Sequence, residues 1–119
     1  MASSQSATAR GRAAEALVAT HLEQKGYVVV ARNLRVGRDE IDLIAFDGAT
    51  LVCVEVRSCR AGAMVHPLET LTPAKCARMR RAAARHAAVR NVVDARIDVV
   101  AVVDGVIDHH VGAVDFSDR

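Results

Sequence analysis

The sequence predicts a single α/β domain in which a mixed β-sheet is flanked by helices. Two segments show the apolar spacing of three and four residues that is typical of helices, and five short β-branched or alternating runs predict strands. Their order along the chain is α-β-β-β-α-β-β. The length of 119 residues suits one domain, and the 51% share of hydrophobic side chains excludes a largely disordered chain.

The first helix is predicted over residues 8–25, where apolar side chains recur at helical spacing and Gly26 provides the stop. Residues 1–8 are small and polar without periodicity, so we expect a disordered tail there and a single domain over 9–116. A short β-branched run at residues 27–31 predicts the first strand.

The next two strands are predicted as a β-hairpin. Alternating runs at residues 41–46 and 51–57 flank Asp47-Gly48, a dipeptide that is typical of tight hairpin turns. A glycine-containing loop over residues 58–71 follows the second strand. This hairpin is the strongest local prediction in the chain.

The second helix is predicted to begin after Thr72, a good N-cap, with Pro73 in its first turn. It should end near Val89. An apolar strand is then predicted over residues 95–103, and an aspartyl-glycine turn leads into a last strand over 106–110.

The hairpin brings two carboxylates together on neighbouring strands. If Gly48 and Ala49 are the two turn residues, Asp42 lies directly opposite Glu55; if the turn lies one residue earlier, the two acids are diagonal neighbours. Both registers keep Arg57 on the same face, because side chains alternate along a strand. Facing carboxylates repel each other, and a divalent cation would relieve that repulsion. Neutralisation by Arg57, or exposure to water, is the alternative.

A third acid lies on the first helix. Glu15 falls beside Leu22 on a helical wheel, at the rim of the apolar face. From there it could lean over the sheet toward the carboxylate pair, and the alternative is a solvated glutamate at the helix edge.

Positive charge is concentrated on the second helix. The net charge is only +2, but the stretch from Lys75 to Arg90 holds six basic residues and no acidic one. Arg78, Arg81 and Arg85 line one face of the predicted helix, and Lys75 lies near its start. This pattern predicts binding to the phosphate backbone of a nucleic acid, and the alternative is a solvated helix face.

Composition excludes several other classes. No apolar run is long enough to span a bilayer and no secretory signal is recognisable, so we expect a cytoplasmic protein without a membrane partner. Three cysteines without C-x-x-C spacing argue against a disulfide framework and a zinc finger. One Tyr, two Phe and no Trp make a base-stacking platform improbable.

Four ordered blocks carry a resemblance to a known family: GRAAEALVATHLEQKGYVVVARNLR, DEIDLIAFDGATLVCVEVRSCR, LTPAKCARMRRAA and ARIDVVAV. They resemble the YraN-like family of small bacterial proteins, which are described as predicted endonucleases related to archaeal Holliday-junction resolvases. The element order is similar to that of the PD-(D/E)XK nuclease superfamily. The resemblance implies a restriction-endonuclease-like αβββαβ core with an added C-terminal hairpin strand. It also implies a Mg²⁺ or Mn²⁺ site formed by Glu15, Asp42 and Glu55, with Arg57 at the position of the motif's basic residue.

The partners that the resemblance implies are DNA, including branched or irregular structures, and a second copy of the chain in a homodimer. Two residues depart from the family's motifs. Asp39 stands where G-E-I-D has its glycine, and Arg57 stands where E-V-K has its lysine. Arginine stays charged and binds phosphate well, but it does not accept a proton in proteins. Lys75 is a candidate to replace the missing lysine in space.

Three functions therefore stay open. The first is a metal-dependent, nuclease-like protein, for which the arginine at position 57 predicts weak or absent cleavage. The second is a protein of nuclease fold that binds nucleic acid without cutting it. The third is a small partner-binding protein. In that case the run from Lys75 to Arg90 has no role in binding nucleic acid.

Overall fold

The computed structural model describes residues 2–59, 62 and 66–115. These residues form two α-helices, one short 3-10 helix and five strands. In chain order they are α1 (Ala2–Gln24), β1 (Val28–Val36), β2 (Asp39–Asp47), β3 (Thr50–Cys59), the 3-10 helix η1 (Pro67–Thr70), α2 (Pro73–Val89), β4 (Ala95–Val103) and β5 (Val106–Val114).

The five strands form one mixed sheet in the order β1-β2-β3-β4-β5. The first three strands are antiparallel neighbours, β3 and β4 run parallel, and β5 returns antiparallel to β4. Helix α2 lies in the connection between the two parallel strands, as a parallel pair requires a crossover. The predicted α/β class and element order are confirmed.

Each face of the sheet is covered by one helix. Helix α1 buries the apolar stripe formed by Ala14, Val18 and Leu22 against one face, and alternation along β3 sends Val52 and Val54 into that core. Helix α2 covers the other face with a largely alanine surface, together with Cys76 and Met79. The members of α2 that are buried there are Ala82, Ala83 and Ala87.

Three elements extend beyond their predicted bounds by four residues or more, and β2 and β3 exceed theirs by fewer residues. Helical backbone begins at Ala2, although the composition of residues 1–8 predicts a disordered tail; this stretch holds neither glycine nor proline, the two residues that disfavour a helix most. Strand β1 continues past residue 31 to Val36 and stays paired with β2, although Asn33 has a positive φ of 52°. Strand β5 extends past residue 110 to Val114. The predicted domain end at residue 116 and part of the 58–71 loop lie outside the described residues.

The hairpin adopts the first of the two registers. Asp47 pairs with Thr50, so Gly48 and Ala49 are the two turn residues, and Gly48 has the positive φ that this turn needs. Continuing this register beyond the last backbone pair places Asp42 opposite Glu55.

None of the described helices combines the length and hydropathy of a membrane-spanning segment.

Candidate functional site

The two facing carboxylates lie where strands β2 and β3 stop pairing. The last backbone partners toward this end are Leu43 and Val54. Beyond them the Asp42 side chain takes the place of a strand partner, because its Oδ2 accepts a hydrogen bond of 2.8 Å from the Val56 N–H. The carboxyl groups of Asp42 and Glu55 lie close enough for each to affect the pKa of the other. The strand ends therefore hold both acids in place.

Burial disfavours the charged form of both acids. It raises the pKa of Asp42 to about 7, with repulsion from Glu55 adding to the effect and the Val56 N–H opposing it. Burial also raises the pKa of Glu55, although attraction to Arg57 and Lys75 opposes this. Because the two carboxyl groups repel each other when both are charged, the doubly ionised pair is unfavourable in the folded protein.

A cavity of about 340 Å³ opens over the acidic pair. Strands β2 and β3, the turn before β2 and the first half of α2 supply its walls. Besides the two acids it is lined by Arg38, Asp39, Glu40, Arg57, Lys75, Arg78 and Met79. Four of these side chains are cations, so a carboxylate floor is surrounded by positive charge. This arrangement suits a cation bound together with an anionic group such as phosphate.

Arg57 is held from two sides. Its Nη1 lies 3.4 Å from Glu55 Oε2, and the two side chains are only 21% and 22% exposed. Its Nη2 donates a hydrogen bond to the Thr70 hydroxyl on η1. Arg57 therefore balances part of the negative charge of the acids through its contact with Glu55. The pKa of Glu55 nevertheless stays above its ordinary value.

Lys75 is brought to the acids by the start of α2. The Thr72 hydroxyl caps this helix by accepting a hydrogen bond of 3.2 Å from the Lys75 N–H, which fixes Lys75 in the first turn. Its side chain lines the same cavity as Glu55, and its charge lowers the pKa of that carboxyl. Lys75 thus brings an ammonium group to the cavity that Arg57 also lines, although it lies eighteen positions further along the chain than the motif's lysine position.

The three arginines predicted to form one basic face have different surroundings. Arg78 is exposed and lines the cavity. Arg81 makes two hydrogen bonds of 3.0 Å to the carboxylate of Asp39, so its guanidinium already has an anionic partner. The guanidinium of Arg85 lies against Gly37, where a Cβ would come within 2.7 Å of Nη1. Of the three, only Arg78 is among the described residues that line the cavity over the acids.

Glu15 lies on α1 and is half-buried. It is not among the residues that line the cavity, but its charge raises the pKa of Asp42, after the larger effects of burial and of Glu55. The structure therefore brings Glu15 within electrostatic reach of the pair. No direct contact between Glu15 and the pair is seen in the described part of the chain.

Residues 14–102 match the model of a family described as Uncharacterised protein family UPF0102. This span covers most of the chain. The chain belongs to the UPF0102 family. A relative in Chlorobium limicola is 39% identical over 101 residues, which cover 83% of this chain and 78% of the relative. A relative in Chlorobaculum tepidum is 42% identical over 100 residues, with coverages of 82% and 78%. One in Paenarthrobacter aurescens is 42% identical over 101 residues, with coverages of 82% and 84%.

The family part of the resemblance is thereby confirmed. The UPF0102 match includes every predicted site residue, from Glu15 to Arg85.

Two features of the site were missed by sequence reasoning: Arg38 at the cavity wall, and the pairing of Asp39 with Arg81. In the sequence, Asp39 stands out only because it replaces the glycine of the family's G-E-I-D motif. The sequence does carry one indication of this ion pair. The run from Lys75 to Arg90 holds no acidic residue, so an anionic partner for its arginines has to come from another part of the chain.

Proposed function

We propose that this UPF0102 protein binds nucleic acid, DNA in the first instance, at a divalent-metal site of phosphodiesterase type. The observation that carries the proposal is the pair formed by Asp42 and Glu55, two half-buried carboxyl groups that face each other inside a cavity lined by cations. Two acids held together at the end of a sheet destabilise the fold on their own. Their arrangement is explained if a bound cation balances the two negative charges.

The donor set fits Mg²⁺ or Mn²⁺. Asp42 and Glu55 offer hard carboxylate oxygens, which these ions prefer, and the cavity has room for water and a phosphate group. Glu15 contributes negative charge to the same position. Such a cation, when bound, lowers the pKa of a coordinated water and neutralises charge on the phosphate.

The cations around the acids supply phosphate contacts. Arg38 and Arg78 are exposed at the cavity wall and are free of the Asp39 pair that engages Arg81. Phosphate contacts of this kind position a nucleic acid without reading its sequence, so structure rather than sequence would guide binding. A homodimer and a preference for branched DNA stay predictions.

Arg57 and Lys75 divide the role of the motif's basic residue. Arg57 keeps a charge beside Glu55 but cannot accept a proton, and its contacts with Glu55 and Thr70 restrict its movement. Lys75 carries a compact ammonium into the same cavity. We therefore expect weak cleavage that depends on Lys75. The contacts that restrain Arg57 favour binding without cleavage as the second candidate function.

The test is a titration with Mn²⁺ followed by thermal unfolding, and in parallel by DNA binding. Mn²⁺ should raise the Tm of the wild type by several degrees through mass action, and Asp42→Asn should abolish the shift. Asp104→Asn, in the exposed turn between β4 and β5, is the matched control and should respond like the wild type. An unchanged Tm of the wild type at millimolar Mn²⁺ would overturn the metal site. Absence of DNA binding at low salt would favour the partner-binding class.

A further inference from the structure

A second group of metal-ligand side chains lies on the same face of the sheet as the acidic pair. The register aligns Glu55 on β3, Val99 on β4 and His110 on β5 in one row, so their side chains share a face. Asp108 lies in the next row of that face. With strands about 4.8 Å apart, His110 is roughly 10 Å from Glu55, which is too far for one two-metal centre.

Three ligand atoms converge at this position. Nε2 of His110 lies 2.8 Å from Oδ2 of Asp108, and Nε2 of His66 lies 3.4 Å from the same oxygen. All three ligand atoms lie within 4.8 Å of one another. Because bonds from zinc to nitrogen and oxygen are about 2 Å long, neighbouring ligand atoms of a zinc site lie roughly 3 to 3.5 Å apart. The separation of 3.4 Å matches that spacing, the separation of 2.8 Å is slightly shorter, and the two imidazole nitrogens lie within 4.8 Å of each other.

The orientation of His110 is more informative than its distance. Within the described part of the chain its Nε2 is covered from solvent and makes no aligned hydrogen bond, although Asp108 Oδ2 is only 2.8 Å away. The nitrogen and the oxygen are thus close to each other, but their geometry is not that of a hydrogen bond. Two ligands that point at one ion have this arrangement. A covered nitrogen without a hydrogen-bond partner is costly unless something else occupies its lone pair.

We propose that His66, Asp108 and His110 form a binding site for a divalent transition metal, with Zn²⁺ as the best match. Two imidazole nitrogens and one carboxylate oxygen are the ligand types that zinc takes, whereas Mg²⁺ prefers oxygen alone. Three protein ligands leave a fourth position open to water. The ion would join β5, at the edge of the sheet, to the residue that precedes η1.

Zinc binding has a specific consequence for His66. In the metal-free protein its Nδ1 accepts a hydrogen bond of 3.1 Å from the Leu68 N–H, so the neutral ring carries its proton on Nε2. When Nε2 coordinates zinc, that proton is released and Nδ1 takes up a proton from solvent. The Leu68 N–H then loses its acceptor, and its amide proton should exchange faster in the zinc-bound protein.

The experiment is a titration of the full chain, freed of metal by a chelator, with Zn²⁺ in competition with a chromophoric chelator. The wild type should bind one equivalent at this site, and His110→Ala and Asp108→Asn should each weaken binding by at least about tenfold. His86→Ala is the matched control, because His86 lies on α2, accepts a hydrogen bond from Arg90 and lies outside the group. Asp42→Asn should also keep its zinc affinity, which separates this site from the proposed Mn²⁺ site.

Three results would overturn the proposal. One is the absence of zinc binding by the wild type, and another is an affinity that His110→Ala and Asp108→Asn leave unchanged. The third is a Leu68 amide that is insensitive to zinc, since it would remove His66 from the ligand set. The Tm of each variant in chelator reports whether it is folded. If His110→Ala does not fold, His66→Gln on the exposed side of the group provides the same test.

Discussion

The carboxylate of Asp42 accepts the hydrogen bond that a backbone carbonyl of a neighbouring strand would otherwise accept. This position also determines how readily the acidic pair ionises. Its Oδ2 satisfies the Val56 N–H that the diverging strand leaves free. The same position buries the carboxyl group beside Glu55, so its ionisation is unfavourable in the folded protein. One residue therefore serves the sheet as an acceptor and supplies a ligand to the cavity.

The first prediction at this scale concerns pH. The folded pKa of Asp42 is about 7 and the ordinary value is 3.8, so the unfolded chain loses this proton first. The penalty on stability develops as the pH rises from about 4 to 7 and stays constant above that range. Asp42→Asn keeps an acceptor for Val56 and removes the penalty. At pH 8 without metal the variant should be more stable by on the order of 2 kcal/mol, and near pH 4 the two should be equal.

Urea unfolding at several pH values measures this difference, with Asp104→Asn as a control whose offset from the wild type should not change with pH. Millimolar Mn²⁺ should reverse the order at pH 8, because only the wild type gains from binding. A difference between the wild type and Asp42→Asn that is the same at pH 4 and pH 8 would show that ionisation of the pair is not its cause.

The second prediction at this scale concerns Arg57. Replacing it with lysine restores a compact ammonium that can position or deprotonate a water, while the charge beside Glu55 is kept. Arg57→Lys should therefore raise metal-dependent cleavage of DNA about a hundredfold over a weak wild type, a typical contribution of acid–base catalysis. The rate is measured on a labelled duplex and on a branched substrate under single-turnover conditions.

The two lysines of the chain supply the control for this experiment. Lys75→Ala should remove the residual cleavage of the wild type, because Lys75 lines the cavity. Lys25→Ala should leave it unchanged, since Lys25 donates to His109 on the other face of the sheet. Robust cleavage by the wild type that Arg57→Lys does not increase would return the role of the motif lysine to Arg57.

At the scale of elements, α2 joins the site to the core. Its Thr72 cap and its buried alanines are local features, so the sequence predicts its start and its packing face. The hairpin and β4 are predicted for the same reason. The approach of Lys75 to Glu55 and the pair of Asp39 with Arg81 depend on how α2 crosses the sheet, which residue spacing does not determine. Sequence reasoning therefore finds the acids together but assigns all three arginines to one surface.

The prediction for α2 separates Arg78 from Arg81. Arg78→Ala should weaken DNA binding and reduce the dependence of log affinity on log salt concentration by about one unit, the value of one lost phosphate contact. Arg81→Ala should instead lower the Tm, because it leaves the nearly covered Asp39 without its partner, and should change the salt dependence less. Fluorescence anisotropy over a salt series and thermal unfolding measure the two effects. Equal losses of salt dependence would mean that Arg81 leaves Asp39 to bind phosphate.

At the scale of the whole molecule, a buried polar network ties the strands together on the face covered by α1. Asp98 on β4 is fully buried and accepts hydrogen bonds from Arg96, from His109 at 2.8 Å and from the Gly112 N–H at 2.9 Å. Arg96 also donates to the Tyr27 hydroxyl at 2.6 Å. The chain entering β1 is thus joined to β4 and β5. The network lies on the opposite face from the candidate site, so it supports the sheet without taking part in binding.

The last prediction follows from the charge of Asp98. Burial opposes its ionisation, but the hydrogen bonds from His109, Arg96 and Gly112 hold its pKa below the ordinary 3.8. A lowered pKa stabilises the fold above the unfolded value and loses this effect as the pH falls through the folded one. Asp98→Asn should therefore cost about 3 kcal/mol at pH 7, as expected for a broken buried pair. The difference from the wild type should close only below about pH 4, whereas a packing defect would persist there. Urea unfolding from pH 2.5 to 8, with Asp104→Asn as the exposed control, distinguishes the two causes.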